Sequence, residues 1–241
     1  MLALDHIPFQ APDLPALAAA FAALGFTVSP PSFYTSPDDP TARWNNRCVF
    51  LQRGWFDLLQ APGAPPAVGP ASVLFLTADL DATAAELGDL RQLPAYRLVR
   101  RWEDRPAHQP FRLISIRERI SPLGLALIEH ADPCVDALPD WFAHPNAAIE
   151  AAGLIFAGAQ PSPFAPAAGR VLDLGGFEYW EPAAFRHAFG EGVDCAVRVR
   201  VRSLEATRSA LAADLAAVQS SGRLHVAAPS PLNCGFQFFE A

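Results

Sequence analysis

The chain has 241 residues, 51% of them hydrophobic, and a formal net charge of -7. That apolar content suffices for a large core without metal or disulfide staples, and the acidic balance argues against nucleic acid or an anionic membrane surface as partner. Cys48, Cys134, Cys195 and Cys234 are scattered with no C-x-x-C pair, so they read as small buried residues and not as a zinc knuckle or disulfide framework.

Leu2 to Phe9 reads as a strand, after which Asp13 caps a helix with Pro15 in its first turn. Leu14, Leu17, Phe21 and Leu24 share one face of that helix, and Gly25 ends it. Phe26 to Ser29, Arg47 to Gln52 and Trp55 to Gln60 are strand candidates, the last two joined by a tight turn at Arg53-Gly54. The order strand, helix, strand, strand, strand then recurs: Ser72 to Leu80 aligns without a gap on His6 to Leu14, and Asp79 again precedes a helix, bearing Leu80, Ala84 and Leu87. Strands follow at Tyr96 to Trp102, Phe111 to Arg117 and Gly124 to His130.

Further on, Leu154 to Ala157, Arg170 to Leu174 and Phe177 to Trp180 are strand candidates without a convincing helix, whose place the proline-rich stretch Pro161 to Pro166 takes. The last copy has a strand at Ala196 to Val201 and a helix capped by Ser203 with Leu204, Leu211, Leu215 and Val218 on one side. Strands at Leu224 to Ala227 and Gly235 to Phe239 close it. In the run Arg198, Arg200, Arg202 the alternation points three guanidinium groups to one side of a strand, as a solvated sheet face. The 24 prolines exclude coiled coils, and no segment approaches about 18 uninterrupted apolar residues, so the expectation is a cytoplasmic protein.

The fold class is therefore α+β, with tandem βαβββ modules pairing into curved, half-open mixed sheet barrels around a cavity for a small molecule. The expected organisation is a main cup over residues 1–132, a linker over 133–150, and a second, partly degenerate module pair over 151–241.

Three places resemble the glyoxalase-like branch of the vicinal oxygen chelate superfamily: Leu4-Asp5-His6-Ile7 leading to Ala11-Pro12-Asp13-Leu14; Arg53-Gly54-Trp55-Phe56-Asp57-Leu58-Leu59; and Trp141-Phe142-Ala143-His144-Pro145-Asn146-Ala147-Ala148. The last is similar to an H-P-N-G-A signature, with Ala147 where glycine is usual. The resemblance implies a divalent metal ion held by the first and last strands of each module, which places His6 and Asp57 as ligands. In the second module, Ser72 aligns with His6 and Leu127 with Asp57, neither a usual ligand. Glu129 has the parity of Leu127 and is the substitute metal ligand, whereas His130 points outward unless the strand bulges.

Each candidate has a plainer reading. His6 is alternatively a hydrogen-bonded core histidine, and Asp57, costly to bury without partners, alternatively lies on a solvated face. Glu129 and His130 alternatively form a polar strand end before the turn Ala131-Asp132-Pro133. Asn45 and Asn46 shape a loop at the cavity mouth, and His144-Pro145-Asn146 starts the second half, with His144 able to reach the rim. Trp44 and the other four tryptophans are core or rim aromatics, and one of Arg101, Arg112 and Arg117 projects inward to grip an anion. The candidate substrate contacts are thus Trp44, Asn46, Arg117, His130 and His144.

No G-x-S-x-G elbow, P-loop, dinucleotide fingerprint or H-E-x-x-H is present, so no nucleotide or organic cofactor is expected. Two functions compete: a divalent-metal-dependent lyase, isomerase or dioxygenase, and a metal-free protein that sequesters a small molecule in the same cup, as in antibiotic resistance. Pairing of modules between chains leaves a homodimer open.

Overall fold

Two aspartates start the helices of the first two modules. Asp13 accepts a hydrogen bond from the Ala16 amide and Asp79 from that of Ala82, each at 2.9 Å, satisfying a first-turn donor. The helices they cap, α1 (Leu14–Ala23) and α2 (Leu80–Leu87), bury Leu14, Leu17, Ala20 and Phe21, and Leu80, Ala84 and Leu87. After α1, Gly25 has φ +80°, and a Cβ there would lie 2.8 Å from that of Ala210 and 2.9 Å from that of Asn146. Both the turn and the close approach need glycine. The structure, a computed structural model, describes residues 2–39, 41–60, 69–92, 94–104, 108–120, 123–131, 138–158, 172–227 and 231–240.

The first sheet contains β1 (Leu4–Ala11), β2 (Ser32–Thr35), β3 (Arg43–Phe50), β4 (Trp55–Gln60), β5 (Gly69–Pro70), β6 (Ser72–Leu76), β7 (Tyr96–Trp102), β8 (His108–Ile120) and β9 (Leu123–His130). Its order is β4-β3-β2-β7-β8-β9-β6-β1-β5, and β1 also pairs with β4, so every strand but β5 joins a closed ring. In each module the first and last strands run parallel: Pro8 faces Asp57, and Leu74 faces Ala126. The chain continues through β10 (Ala148–Ala157), β11 (Glu178–Trp180), α3 (Pro182–Phe189), β12 (Cys195–Val201), α4 (Leu204–Ala210), β13 (Ala217–Ser220), β14 (Arg223–Val226) and β15 (Gly235–Glu240). These strands form a second sheet in the order β11-β10-β12-β15-β14-β13. Arg198 and Arg200 of the alternating run lie on β12 and pair with Glu178 and Glu150, and Arg202 follows the end of the strand.

Several elements differ from the sequence expectation, among them the strand expected at Arg170 to Leu174, of whose described part only Leu172 makes an isolated bridge, to Leu2. Phe26 to Ser29 is irregular: Pro30 and Pro31 have no amide hydrogen for a ladder, and Ser29 instead bonds the Cys48 backbone in both directions. The last helix stops at Ala210 instead of running to Val218, because the Ala212 amide leaves it to satisfy the Ala23 carbonyl at the end of α1. A third-module helix does exist, α3, opened by Pro182 and anchored by Phe185 and Phe189. Pro161 to Pro166 and Cys134 lie outside the described residues, while Cys48, Cys195 and Cys234 are buried free thiols. Burial, with the Asp194 carboxylate adding to it, pushes the Cys195 thiol up to about 12, which leaves it chemically quiet.

Alternation along β1 divides its side chains: Ile7, Phe9 and Ala11 enter the main core, whereas His6, Pro8 and Gln10 line a cavity inside the ring. Along β4, Phe56 and Leu58 take the core side and Trp55, Asp57 and Leu59 the cavity side. The core is shared by both sheets, with Phe9, Phe21 and Phe26 packed around Phe236 of β15.

His144-Pro145-Asn146 clamps these layers together. Asn146 is fully buried; its side chain donates to the Leu24 carbonyl at 2.9 Å and accepts from the Ala148 amide at 3.1 Å. The next residue, Ala147, has φ +57°, a conformation that costs an L residue about 1 kcal/mol or more. Ala147→Gly is therefore expected to raise stability by about 1 kcal/mol, measured as a higher urea midpoint at unchanged slope.

Candidate functional site

The cavity inside the ring has a volume of about 620 Å³, within the range of small-molecule sites. Leu59, Leu74, Leu98, Phe111, Leu113 and Ile128 form apolar wall, and Trp44 and Trp55 add aromatic surface. Polar groups gather in two places on this wall.

The first is built on Asp57, which is 2% exposed. Its carboxylate accepts from the Tyr34 hydroxyl and from the Asn46 side-chain amide, both at 2.9 Å, and Asn46 in turn accepts from the Ser32 hydroxyl at 2.6 Å. Arg100, 1% exposed, donates to the Tyr34 oxygen through Nε at 3.2 Å and Nη2 at 2.5 Å, and to Gln109 Oε1 through Nη1 at 2.9 Å. Its guanidinium lies 4.2 Å from the centroid of the Trp55 ring, a contact worth about 2 kcal/mol when desolvated. Burial opposes charge on Arg100, but Cys48, Tyr34 and Asp57 outweigh it and hold its pKa above the usual arginine value. Burial is also the main reason that the Tyr34 hydroxyl stays protonated far above the usual tyrosine range.

The second place is Asp5. One oxygen, Oδ2, accepts from His6 Nδ1 at 2.6 Å, from His130 Nε2 at 3.2 Å and from Trp55 Nε1 at 3.2 Å. Burial alone would raise the Asp5 pKa, but the hydrogen bonds and charge of the two histidines outweigh it and hold it well below the carboxylate range. Gln109 joins the two places, because its amide nitrogen lies 3.4 Å from His130 Nδ1 while its oxygen meets Arg100. The His6 ring stacks on Trp55 with centroids 4.0 Å apart, so one indole packs against both the imidazole and the guanidinium.

Of the residues singled out from sequence, His6, Asp57, Trp44, Arg117 and His130 line the cavity. Three others lie elsewhere. Glu129 is turned away from the cavity, where its carboxylate accepts from the Leu80 amide at the start of α2 and pairs with Arg112. Asn46 holds Asp57 from behind. His144 accepts from the Thr27 amide through Nδ1 and donates to the Phe50 carbonyl through Nε2. Burial depresses its pKa, with the Phe50 bond acting in the opposite direction, so it is a neutral structural histidine. The second-module register is one residue away from that inferred from the shared strand endings: Ala126, not Leu127, occupies the place of Asp57, and His130 consequently faces inward.

Asp5, Tyr34, Arg100 and Gln109 were not singled out. On the opposite end of the β8–β9 ladder from Gln109, Arg117 and Arg119 continue the cavity-side alternation of Phe111, Leu113 and Ser115 to the rim, where both are exposed. Arg101 and Arg112 do not line the cavity.

These residues do not fit the divalent metal that the resemblance implies. Both Asp57 oxygens already have hydrogen-bond donors, and the second module offers Ser72 and Ala126 where further ligands would stand. The Arg100 cation is joined to Asp57 through Tyr34. Among the described residues no three His, Cys, Asp or Glu side chains form a metal-binding group.

Two βαβββ modules closed into a ring around a cavity define the cup of the vicinal oxygen chelate superfamily. The chain belongs to the glyoxalase-like domain family, whose model it matches over residues 4–172. No curated protein matches its sequence. Among solved structures, the 2,3-dioxygenase LapB from Pseudomonas sp. KL28 is 13% identical, with 99% of this chain and 92% of that one covered at a TM-score of 0.53, a likeness of fold alone. A hypothetical protein from Staphylococcus aureus is 10% identical, with coverage of 100% and 86% and a TM-score of 0.45. Methylmalonyl-CoA epimerase from Streptomyces coelicolor is 20% identical, covering 55% of this chain and 100% of its own, at 0.39.

Proposed function

We propose that the chain binds a small organic molecule in the ring cavity without a metal ion. The observation that carries this reading is the Arg100–Tyr34–Asp57 network, in which a fixed guanidinium supplies the positive charge a metal would bring. The ligand has an apolar body that fits against Leu59, Leu98, Phe111 and Ile128. Its polar end meets His6, His130 and Arg100, and an anionic substituent reaches Arg117 and Arg119 at the rim. In this reading residues 1–132 hold the ligand and the module pair of residues 151–241 buttresses them through the shared core, with the strand β10 starting inside the segment read as a linker. Among the described residues no helix is long and apolar enough to cross a membrane.

Thermal-shift measurement against a panel of aromatic and aliphatic organic acids tests the proposal. Ligands are expected to raise the melting temperature equally with and without EDTA, and protein purified without added ions is expected to contain substoichiometric metal. A tightly held stoichiometric ion that is lost in His6→Ala, or stabilisation that a chelator abolishes, overturns the reading.

A further inference from the structure

The donors and acceptors along the polar chain fix the tautomers of both His130 and His6. Arg100 can only donate, so the Gln109 oxygen accepts from it and the Gln109 amide nitrogen is left to donate to His130 Nδ1. With Nδ1 accepting, His130 carries its proton on Nε2 and gives that hydrogen bond to Asp5. The Asp5 carboxylate accepts again from His6, at 2.6 Å, which places the His6 proton on Nδ1. The lone pair of His6 therefore sits on Nε2. Among the described residues nothing hydrogen-bonds this nitrogen, and its ring forms part of the cavity wall, held in place by the Trp55 face.

We infer that His6 is a general base, aligned by Asp5, which removes a proton from carbon in a bound carbonyl compound or similar carbon acid, with the resulting charge collecting on an oxygen beside Arg100. This inference rests on the metal-free reading of the cavity. In the step, the electron pair of the C–H bond becomes the new carbon π bond and the former carbonyl pair settles on oxygen. The proton resides on His6 Nε2 until the imidazolium returns it to carbon. Nothing is oxidised or reduced, and no co-reactant is consumed. Asp5 stabilises the imidazolium across the 2.6 Å bond, as a carboxylate does behind any catalytic histidine. Arg100 is already desolvated and fixed, and Tyr34 and Gln109 engage three of its five N–H groups, so it meets a developing oxyanion without reorganisation. Asp5 is the positioning residue that sets which nitrogen of His6 is basic.

The test uses 5-nitrobenzisoxazole with the purified full chain in EDTA. A base takes the ring C–H proton of this probe, its N–O bond breaks, and the electron pair leaves on the coloured nitrophenolate oxygen. The wild-type protein is expected to accelerate this elimination at least ~100-fold over the same concentration of free imidazole. His6→Gln is expected to return the rate to that of buffer, and Asp5→Asn to lower it about tenfold while nitrogen-15 spectra show His6 losing its fixed Nδ1–H tautomer. The tautomer in the wild-type protein is read without any substitution, so a variant that misfolds leaves that measurement standing. A wild-type rate no greater than that of imidazole, a rate unchanged in folded His6→Gln, or a wild-type His6 protonated on Nε2 overturns the inference. A probe that stabilises the protein thermally in EDTA yet is not converted overturns the base and leaves metal-free binding intact. Conversion that EDTA abolishes overturns both.

Discussion

Arg100→Met is expected to lower the unfolding free energy by about 3–5 kcal/mol, because it removes one member of a buried charge network and leaves the other behind. Arg100 is 1% exposed and Asp57 2%, and the Tyr34 hydroxyl lies between them. Methionine fills much of the volume and keeps a polarizable contact with Trp55, so lost packing contributes little to the expected effect. What remains is a carboxylate facing neutral donors, Tyr34, Asn46 and the Cys48 thiol, in an apolar wall. Adding Asp57→Asn to Arg100→Met should therefore recover about 1–2 kcal/mol, a coupling visible in a double-mutant cycle by urea unfolding. Strict additivity of the two substitutions would show that the guanidinium neither answers the carboxylate nor stands in for a metal. The same single variant is expected to lose chelator-indifferent ligand binding.

Much of the fold was legible in the sequence because local signals and module order agree. Asp13 and Asp79 cap their helices 66 positions apart, as the ungapped match of Ser72 to His6 requires, and both caps form. The resemblance placed His6 and Asp57 on the first and last strands of the module, and alternation in β1 and β4 turns both toward the cavity. Alternation failed where the strands are irregular or where the match was anchored at the wrong end. Asp5 precedes an inward residue and by alternation belongs outside, but the pairing of β1 with β6 is irregular between Leu4 and His6, and Asp5 reaches the two imidazoles. Glu129 and His130 exchange orientations because the matching endings of the two last strands lie one residue out of register. The parallel register of β6 with β9 puts Ala126 in line with Asp57.

Arg100 illustrates a different limit. In the pair Arg100-Arg101, nothing in the sequence says which guanidinium turns inward, and a fully buried arginine is uncommon unless paired. Its partners are Tyr34 on β2 and Gln109 on β8, and the register that brings them together exists only once the two modules have joined across the β2–β7 edge. The chemistry of this cavity is thus a property of the closed ring more than of either module. Each carboxylate belongs to the first module, while Arg100, Gln109 and His130, which decide how those carboxylates act, come from the second.

That dependence gives Asp5 the second large effect. Asp5→Asn is expected to cost about 3 kcal/mol at neutral pH, because three buried donors converge on Oδ2 and a neutral amide oxygen answers them more weakly. The effect has a pH signature. Asp5 has a folded-state pKa depressed below its ordinary value of 3.8, so it binds its proton more readily in the unfolded chain. Its contribution is complete above that value and is lost as pH falls from it toward the lower folded-state value. His144, held neutral by burial, gives an arm of the same sign at higher pH: its contribution is present above its ordinary value of 6.5 and declines below it. Urea unfolding of the wild-type chain across the acid range should then show two declines, one below the histidine value and one in the carboxylate range. Asp5→Asn should flatten the lower decline and leave the upper one. If both declines persist unchanged in a folded Asp5→Asn protein, the carboxylate is not the acceptor that binds the two histidines together, and the tautomer assigned to His6 loses its foundation.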